Sequence, residues 1–108
     1  MTATMTDTFA ALADPTRFEI VTHLCRGAAS VSELARPHAM SLRAVLKHVE
    51  LLEAAGVVRT NKVGRIRQCE LRREAIAELE TWASDLRHRW ERRLDRLEQQ
   101  LSEGEDRE

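Results

Sequence analysis

The segment 41–56, SLRAVLKHVELLEAAG, carries cationic side chains at the spacing of one helix face. Arg43 and Lys47 are four residues apart and His48 follows, so all three lie near the start of a predicted helix. Such groups donate hydrogen bonds to phosphates and to base edges, and a helix that carries them suits the DNA major groove. An ordinary core helix with a solvated basic face fits this segment alone equally well.

The same segment has both end signals of a helix. Ser41 is a favoured N-cap residue, because its hydroxyl accepts a hydrogen bond from a free amide of the first turn. Gly56 suits the positive φ that commonly follows a helix. One apolar stripe repeats between them at spacings of three and four: Leu42, Val45, Val49 and Leu52. We expect this stripe to be buried.

After Gly56 the apolar pattern changes to alternation, which predicts a two-stranded hairpin with its tip near residues 63–65. From residue 41 to residue 67 the chain has six cations and two anions, a net +4, whereas the whole chain carries −1. The hairpin cations are Arg59, Lys62, Arg65 and Arg67. We expect them to contact a sugar-phosphate backbone; a solvated hairpin is the alternative.

The first part of the chain predicts two short helices. Residues 1–6 are small and polar, so we expect them to be frayed, with a helix starting at Asp7. The Asp-Pro pair at 14–15 begins a second helix, because Asp caps and Pro fits the first helical position. Thr16 and Arg17 follow in the first turn, where they can hold a phosphate. For Arg17, a solvated surface charge is an equal alternative.

A third helix is predicted before the basic one. Ser30 and Glu33 have the spacing of a capping box. The proline-containing segment 36–40 then interrupts the helical pattern ahead of Ser41. Two helices joined by a short break, the second with a basic face, form a helix-turn-helix.

A long helix is predicted from Arg73 to about Ser102, because apolar residues recur there at steps of three and four. They are Ile76, Leu79, Ala83, Leu86, Trp90, Leu94, Leu97 and Leu101, with Trp82 beside them. Such a helix, about 45 Å long, extends past a domain with so small a core, so its second half needs a partner. A second copy of the chain is the economical partner, and a two-fold dimer matches a palindromic DNA site.

Length and composition restrict the class of protein. The 108 residues suffice for one domain, and 43% hydrophobic with 32% charged residues disfavours a disordered or membrane-embedded chain. We see neither a transmembrane run nor a signal peptide, so we expect a cytoplasmic protein without membrane partners. An enzyme is not supported: there is no nucleophile beside a base, no Gly-rich phosphate loop and no plausible pair of carboxylates.

The two cysteines, Cys25 and Cys69, lie far apart among apolar neighbours. We expect each to be a reduced, buried thiol. They do not form a CxxC pair, which disfavours a zinc knuckle or a thioredoxin-like redox site.

Three segments, FAALADPTRFEIVTHLCRG, MSLRAVLKHVELLEAAGVV and VRTNKVGRIRQCEL, together resemble the ArsR-type winged-helix transcriptional regulators over residues 9–71. The family's ALaDptR pattern corresponds to residues 11–17. Its recognition-helix pattern, a serine followed by V-x-x-H and L-x-x-AG, corresponds to Ser41, Val45, His48, Leu52, Ala55 and Gly56. The segment 87–101, RHRWERRLDRLEQQL, resembles a metal-independent branch of the family.

The resemblance implies a mainly α fold with a small β-hairpin wing (α+β), in one domain of residues 1–108. It comprises a winged helix-turn-helix core at 7–71, a dimerisation helix at 73–102 and an acidic tail at 103–108. The implied function is a sequence-specific DNA-binding regulator, a homodimeric repressor on an inverted-repeat operator. A winged-helix protein-interaction module and a metal- or redox-responsive repressor are the alternatives.

The resemblance also supplies expected site residues. Base edges would face Arg43, Ala44 and Lys47, and phosphates would lie near Ser41 and His48. The remaining DNA contacts would be Thr16, Arg17, Arg59, Lys62, Arg65 and Arg67. The dimer interface would use Phe9, Leu12, Trp82, Leu86, Trp90, Leu94 and Leu97.

Three departures from the family pattern qualify these expectations. Ser30 and Ser32 stand where metal-sensing relatives have cysteines, and serine is a poor ligand for soft metals. His88 has no second histidine on the last helix, so we expect no metal and no cofactor. Leu46 replaces a small polar residue; facing a thymine methyl and facing the core are both open for it.

Overall fold

The computed structural model describes residues 3–106, and the side chains of residues 3–104. The chain has two compact units, one that runs to Ile76 and one that starts at Ala77. The elements in chain order are α1 Met5–Leu12, α2 Pro15–Leu24, β1 Ala29–Ser30, α3 Val31–Ala35, α4 Leu42–Ala54, β2 Val58–Val63, β3 Ile66–Leu71 and α5 Arg73–Asp106. The predicted fold class is confirmed: mainly helical, with a small antiparallel sheet, a wing and a long C-terminal helix.

Helix α1 begins earlier than the sequence predicts, because Thr4 caps it. The Thr4 hydroxyl accepts a hydrogen bond from the Asp7 backbone N–H at 3.2 Å, and the Asp7 carboxylate accepts one from the Thr4 backbone N–H at 2.8 Å. This capping box starts the helix at Met5. The expectation of frayed chain is therefore wrong for residues 4–6, while residues 1–2 lie outside the described part.

Helices α2 and α3 begin at the predicted caps. The Asp14 carboxylate accepts a hydrogen bond from the Arg17 backbone N–H at 3.0 Å. The Ser30 hydroxyl accepts one from the Glu33 backbone N–H at 3.1 Å. Ser30 also belongs to β1, whose pairing with β3 completes a three-stranded sheet of order β1-β3-β2. The sequence does not predict β1, because two residues are too few to show alternation.

Helix α4 packs through its apolar stripe. Val45, Val49 and Leu52 are each at most 1% exposed. Leu42 is an exception to the predicted stripe: it is 53% exposed, and it is the first residue of α4. Gly56 has a φ of 77° just after the helix, as its position predicts.

The core of this unit combines residues from the helices and the sheet. Ile20 from α2, Leu34 from α3, and Val58 and Cys69 from the wing strands are each at most 1% exposed. Burial raises the pKa of the Cys69 thiol to about 11. This thiol stays protonated at neutral pH, which makes it a poor nucleophile and a poor metal ligand.

Two side chains on or next to α2 lie outside this core, and one of them, Cys25, is expected from the sequence to be buried. Phe18 is 59% exposed, because it precedes Ile20 by two residues and so lies on the other side of α2. Cys25 is exposed, because it is the C-cap residue that follows the buried Leu24. The expectation of two buried thiols is therefore correct only for Cys69.

Helix α5 is a continuous helix of 34 residues. It extends through Asp106, past the predicted end near Ser102 and into the expected acidic tail, whose glutamates are good helix formers. Residues 107–108 lie outside the described part. Within the second unit, the large apolar side chains from Trp82 to Leu101 are 44–72% exposed.

We expect Leu52→Ala to reduce the free energy of unfolding by about 2–5 kcal/mol, because it leaves a cavity in the core. The matched control is Leu51→Ala on the same helix. Leu51 is 48% exposed, so its truncation is expected to cost about 1 kcal/mol or less. Denaturant unfolding followed by circular dichroism measures both values, and equal losses would contradict the burial of the α4 stripe.

Candidate nucleic-acid interface

The N-terminal half of α4 presents its polar side chains outward. Ser41, Arg43 and Lys47 are exposed, whereas Ala44 and His48 are half-buried. Arg43 and Lys47 are one turn apart and opposite the buried stripe, so they share the outer face. The Ser41 hydroxyl accepts a hydrogen bond from the Ala44 backbone N–H at 3.1 Å and so caps the helix. Of the three residues predicted to read bases, Arg43 and Lys47 are exposed and Ala44 is half-buried.

Leu46 is half-buried and packs against the hydrophobic core. The sequence leaves two orientations open for it, and the structure shows part of each: Leu46 contacts the core and also borders the open groove described below. The exposed side chains of α4 are the charged Arg43, Lys47, Glu50 and Glu53 together with Leu42, Leu51 and Ala54.

A cluster of polar groups joins α4 to the start of α2. Arg17 Nη1 lies 3.3 Å from His48 Nδ1, and Asp14 Oδ2 lies 3.8 Å from the same nitrogen. Arg17 Nε donates a hydrogen bond to the Ala11 carbonyl oxygen at 2.7 Å. The bond from the Arg17 backbone N–H holds the pKa of Asp14 below its ordinary value, so this carboxylate is ionised at neutral pH.

This cluster occupies the groups that the sequence assigns to a phosphate clamp. The Arg17 guanidinium has acceptors within the protein, and the Asp14 carboxylate fills the N-terminus of α2. Thr16, in the same turn, is half-buried. A phosphate contact at Thr16 and Arg17 stays a prediction. In the structure the Arg17 guanidinium already contacts the Ala11 carbonyl oxygen and His48.

Strands β2 and β3 form the wing and meet at a turn in which Gly64 has a φ of 64°. Lys62 and Arg67 are direct partners in the antiparallel register, and Arg65 lies in the turn. All three side chains are exposed. Like charges that lie directly opposite each other destabilise a strand pair, so this arrangement favours a polyanionic partner.

Arg59 lies at the base of the wing and differs from the tip cations. Its Nε is 3.3 Å from Glu70 Oε1, and its Nη2 is 3.8 Å from Glu74 Oε2. Antiparallel pairing places Glu70 opposite Arg59, which the linear order of the residues does not suggest. Exposed ion pairs are weak, so they do not prevent a DNA contact at Arg59, and that contact stays a prediction. The two glutamates partly neutralise the Arg59 charge that would attract a phosphate.

Sequence reasoning missed the link between α4 and the wing. Glu53 Oε2 accepts hydrogen bonds from the Thr60 backbone N–H at 3.0 Å and from the Thr60 hydroxyl at 2.7 Å. These bonds tie β2 to the C-terminal end of α4 and so fix the wing relative to the α4 cations. No local spacing signals the link, because it forms only once the chain turns back at Gly56.

Helices α3 and α4 and the wing border an open groove of about 740 Å³. Four cations line it: Arg43, Lys62, Arg65 and Arg67. Its apolar lining includes Leu42, Leu46 and Ile66. The fold thus brings together cations that the sequence distributes over two separate elements.

The residues predicted for a dimer interface are found in both units. In the first unit Phe9 is 41% exposed and Leu12 is half-buried. In the second unit the predicted residues are 44–56% exposed: Trp82, Leu86, Trp90, Leu94 and Leu97.

Among the described residues, no three His, Cys, Asp or Glu side chains are grouped so that they could hold a metal ion. Ser30 and Ser32 border the groove, and the Ser30 hydroxyl is the N-cap of α3. Over residues 3–106, no helix has the length and apolar character needed to cross a membrane.

A helix-turn-helix whose second helix bears cations, followed by a basic wing, defines a winged helix-turn-helix DNA-binding regulator. A family model for a helix-turn-helix domain matches residues 12–61. The HTH-type transcriptional regulator Rv2034 of Mycobacterium tuberculosis is 39% identical over 97 residues, which cover 89% of this chain and 88% of the relative.

Solved structures also match over most of their length, and two examples follow. The ArsR family transcriptional regulator RHA00566 is 42% identical with a TM-score of 0.76, covering 81% of this chain and 96% of that one. An ArsR-like transcriptional regulator from Rhodococcus sp. RHA1 is 35% identical with a TM-score of 0.75, covering 88% and 90%. The chain belongs to the ArsR family of winged helix-turn-helix transcriptional regulators, which confirms the resemblance.

The wing cations give a prediction that separates tip from base. Lys62→Ala and Arg67→Ala are each expected to weaken binding to any duplex and to reduce the slope of log K against log salt by about 0.9. Arg59→Ala is expected to reduce the slope less, because Glu70 and Glu74 already pair with Arg59. Fluorescence anisotropy over a salt series measures the slopes. Unchanged slopes for both tip variants would refute wing contact.

Proposed function

We propose that the protein is a homodimeric repressor that binds an inverted-repeat operator. The observation that carries this proposal is the shared groove: Arg43 of α4 and the wing-tip cations border the same open space. In this arrangement α4 enters the major groove and the wing reaches the adjacent backbone. A symmetric dimer presents two such surfaces to two half-sites.

The accessible face of α4 supplies sequence reading. The planar fork of Arg43 suits O6 and N7 of a guanine, and Lys47 lies one turn further along the same face. Ala44, between them, can pack on a thymine methyl. The proposed backbone contacts are Thr16, Ser41, His48, Arg59, Lys62, Arg65 and Arg67.

The apolar stripe of α5 supports assembly with a second copy. A helix of 34 residues is about 50 Å long. Trp90 and Leu94 are 56% and 55% exposed, and a contiguous exposed apolar stripe marks an interaction surface. Helices gain most of their stability from packing of an apolar face, so burial of this stripe between two copies stabilises both.

Repression requires only that the dimer occupy DNA that a polymerase needs. The proposed contacts provide affinity and register without a further activity. A winged helix that binds an acidic protein instead of DNA is the competing function, and the first experiment distinguishes the two.

The first experiment is a selection of random duplexes by the purified protein at moderate salt. We expect an inverted repeat with half-sites about one helical turn apart. Binding that is salt-sensitive but recovers no sequence would argue against a sequence-specific regulator and for the protein-contact alternative.

The same selection tests the assignment of Arg43. Arg43→Ala is expected to cost about 1–3 kcal/mol of binding free energy at the selected operator and to relax the preference at one base pair of each half-site. Arg26→Ala removes an exposed cation outside the proposed interface and serves as the matched control. A variant with unchanged sequence preference would exclude Arg43 as a base-reading residue.

Assembly is tested by the mass in solution. We expect the wild type to have the mass of two chains, and Trp90→Ala combined with Leu94→Ala to shift it toward one chain by removing exposed apolar area. Arg92→Ala, on the opposite side of α5 from Trp90, is the control and should remain dimeric. Sedimentation analysis measures all three, and a monomeric wild type would refute the dimer.

A further inference from the structure

Arg17 connects two helices that flank its own. Its Nε donates to the Ala11 carbonyl oxygen at 2.7 Å, one of the last carbonyls of α1, which have no partner within that helix. Its Nη1 lies 3.3 Å from His48 Nδ1 on α4. One guanidinium therefore caps α1 and contacts the helix proposed to read DNA.

The contact with Arg17 determines the tautomer of a neutral His48. A guanidinium has donors and no acceptor, so the Nδ1 atom facing it must offer a lone pair. The Asp14 carboxylate is 3.8 Å from Nδ1, beyond hydrogen-bond distance. The ring proton of a neutral His48 is then on Nε2.

The second ring nitrogen of His48, Nε2, is the one available for a contact with DNA. Within the described residues no hydrogen-bond partner of Nε2 is found. The His48 side chain is 22% exposed, so solvent reaches part of it. An N–H donor at this position on α4 suits a phosphate oxygen.

We propose that Arg17 is a positioning residue: it joins α1 to α4 and holds His48 in the Nε2–H tautomer, which donates to a DNA phosphate. The last step rests on the proposed function, whereas the tautomer is a property of the free protein. In this proposal Arg17 acts on DNA through His48, in place of the direct phosphate contact that the sequence predicts for it.

The tautomer is measured first, without DNA or any variant. Nitrogen-15 chemical shifts of the imidazole, in wild-type protein at a pH where His48 is neutral, report which ring nitrogen carries the proton. Nε2–H supports the proposal, and Nδ1–H overturns it. Arg17→Ala is expected to raise the population of the Nδ1–H tautomer, because the donor that faces Nδ1 is gone and the Asp14 carboxylate remains near that nitrogen.

The salt dependence of DNA binding separates positioning from direct contact. With any duplex that the wild type binds, Arg17→Ala is expected to weaken affinity about tenfold, through loss of the hydrogen bond that His48 makes. The slope of log K against log salt should stay at the wild-type value. A slope reduced by about 0.9 would show that Arg17 itself neutralises a phosphate and would overturn the proposal.

A double-mutant cycle tests whether Arg17 acts through His48. Once His48→Ala has been introduced, Arg17→Ala is expected to cost less than about threefold more, because the side chain that it positions is gone. Fully additive losses would overturn the proposal. Arg17→Lys keeps the charge but cannot span both acceptors, so it should show the wild-type salt slope and reduced affinity.

Folding and function are checked separately. Circular dichroism and thermal unfolding identify any variant that loses structure, and the wild-type tautomer is informative even if Arg17→Ala unfolds. If the wild type binds no duplex but shows the Nε2–H tautomer, the positioning of His48 stands and the proposed function fails.

Discussion

Burial of the α4 stripe is the constraint on which the DNA-facing surface depends. Val45, Val49 and Leu52 are at most 1% exposed, so the rotation of α4 about its own axis is fixed by the core. With that rotation fixed, Arg43 and Lys47 must point outward. A rotation that placed these cations inward would bury unpaired charge and expose three apolar side chains, both of which are unfavourable.

The wing is fixed to the same helix by hydrogen bonds. Glu53 accepts two of them from Thr60, directly after the turn that ends α4. Strand pairing then determines which cations remain available: Arg59 lies opposite Glu70, while Lys62 lies opposite Arg67. The hairpin therefore concentrates positive charge toward its tip, without an ion pair to any acidic side chain that the structure describes, beside the groove that Arg43 borders.

Side chains within the family pattern also serve the fold. Asp14 caps α2, Ser30 caps α3 and Ser41 caps α4, each by accepting a hydrogen bond from a backbone amide of the first turn. Arg17 contacts the α1 carbonyl and His48. A residue that matches a DNA-binding family therefore need not contact DNA, and its partners in the structure indicate which task it has.

The sequence by itself determined the helix order, the hairpin and the long last helix, because these depend on periodicity and on caps a few residues apart. It also placed the cations on α4 and the wing. Only the tertiary structure decided which cations are neutralised, that Leu46 contacts the core, that Cys25 is exposed, and that β1 joins the sheet. Those outcomes depend on contacts between residues distant in sequence, such as Arg17 with His48, which form only once the helices pack and which no local spacing records.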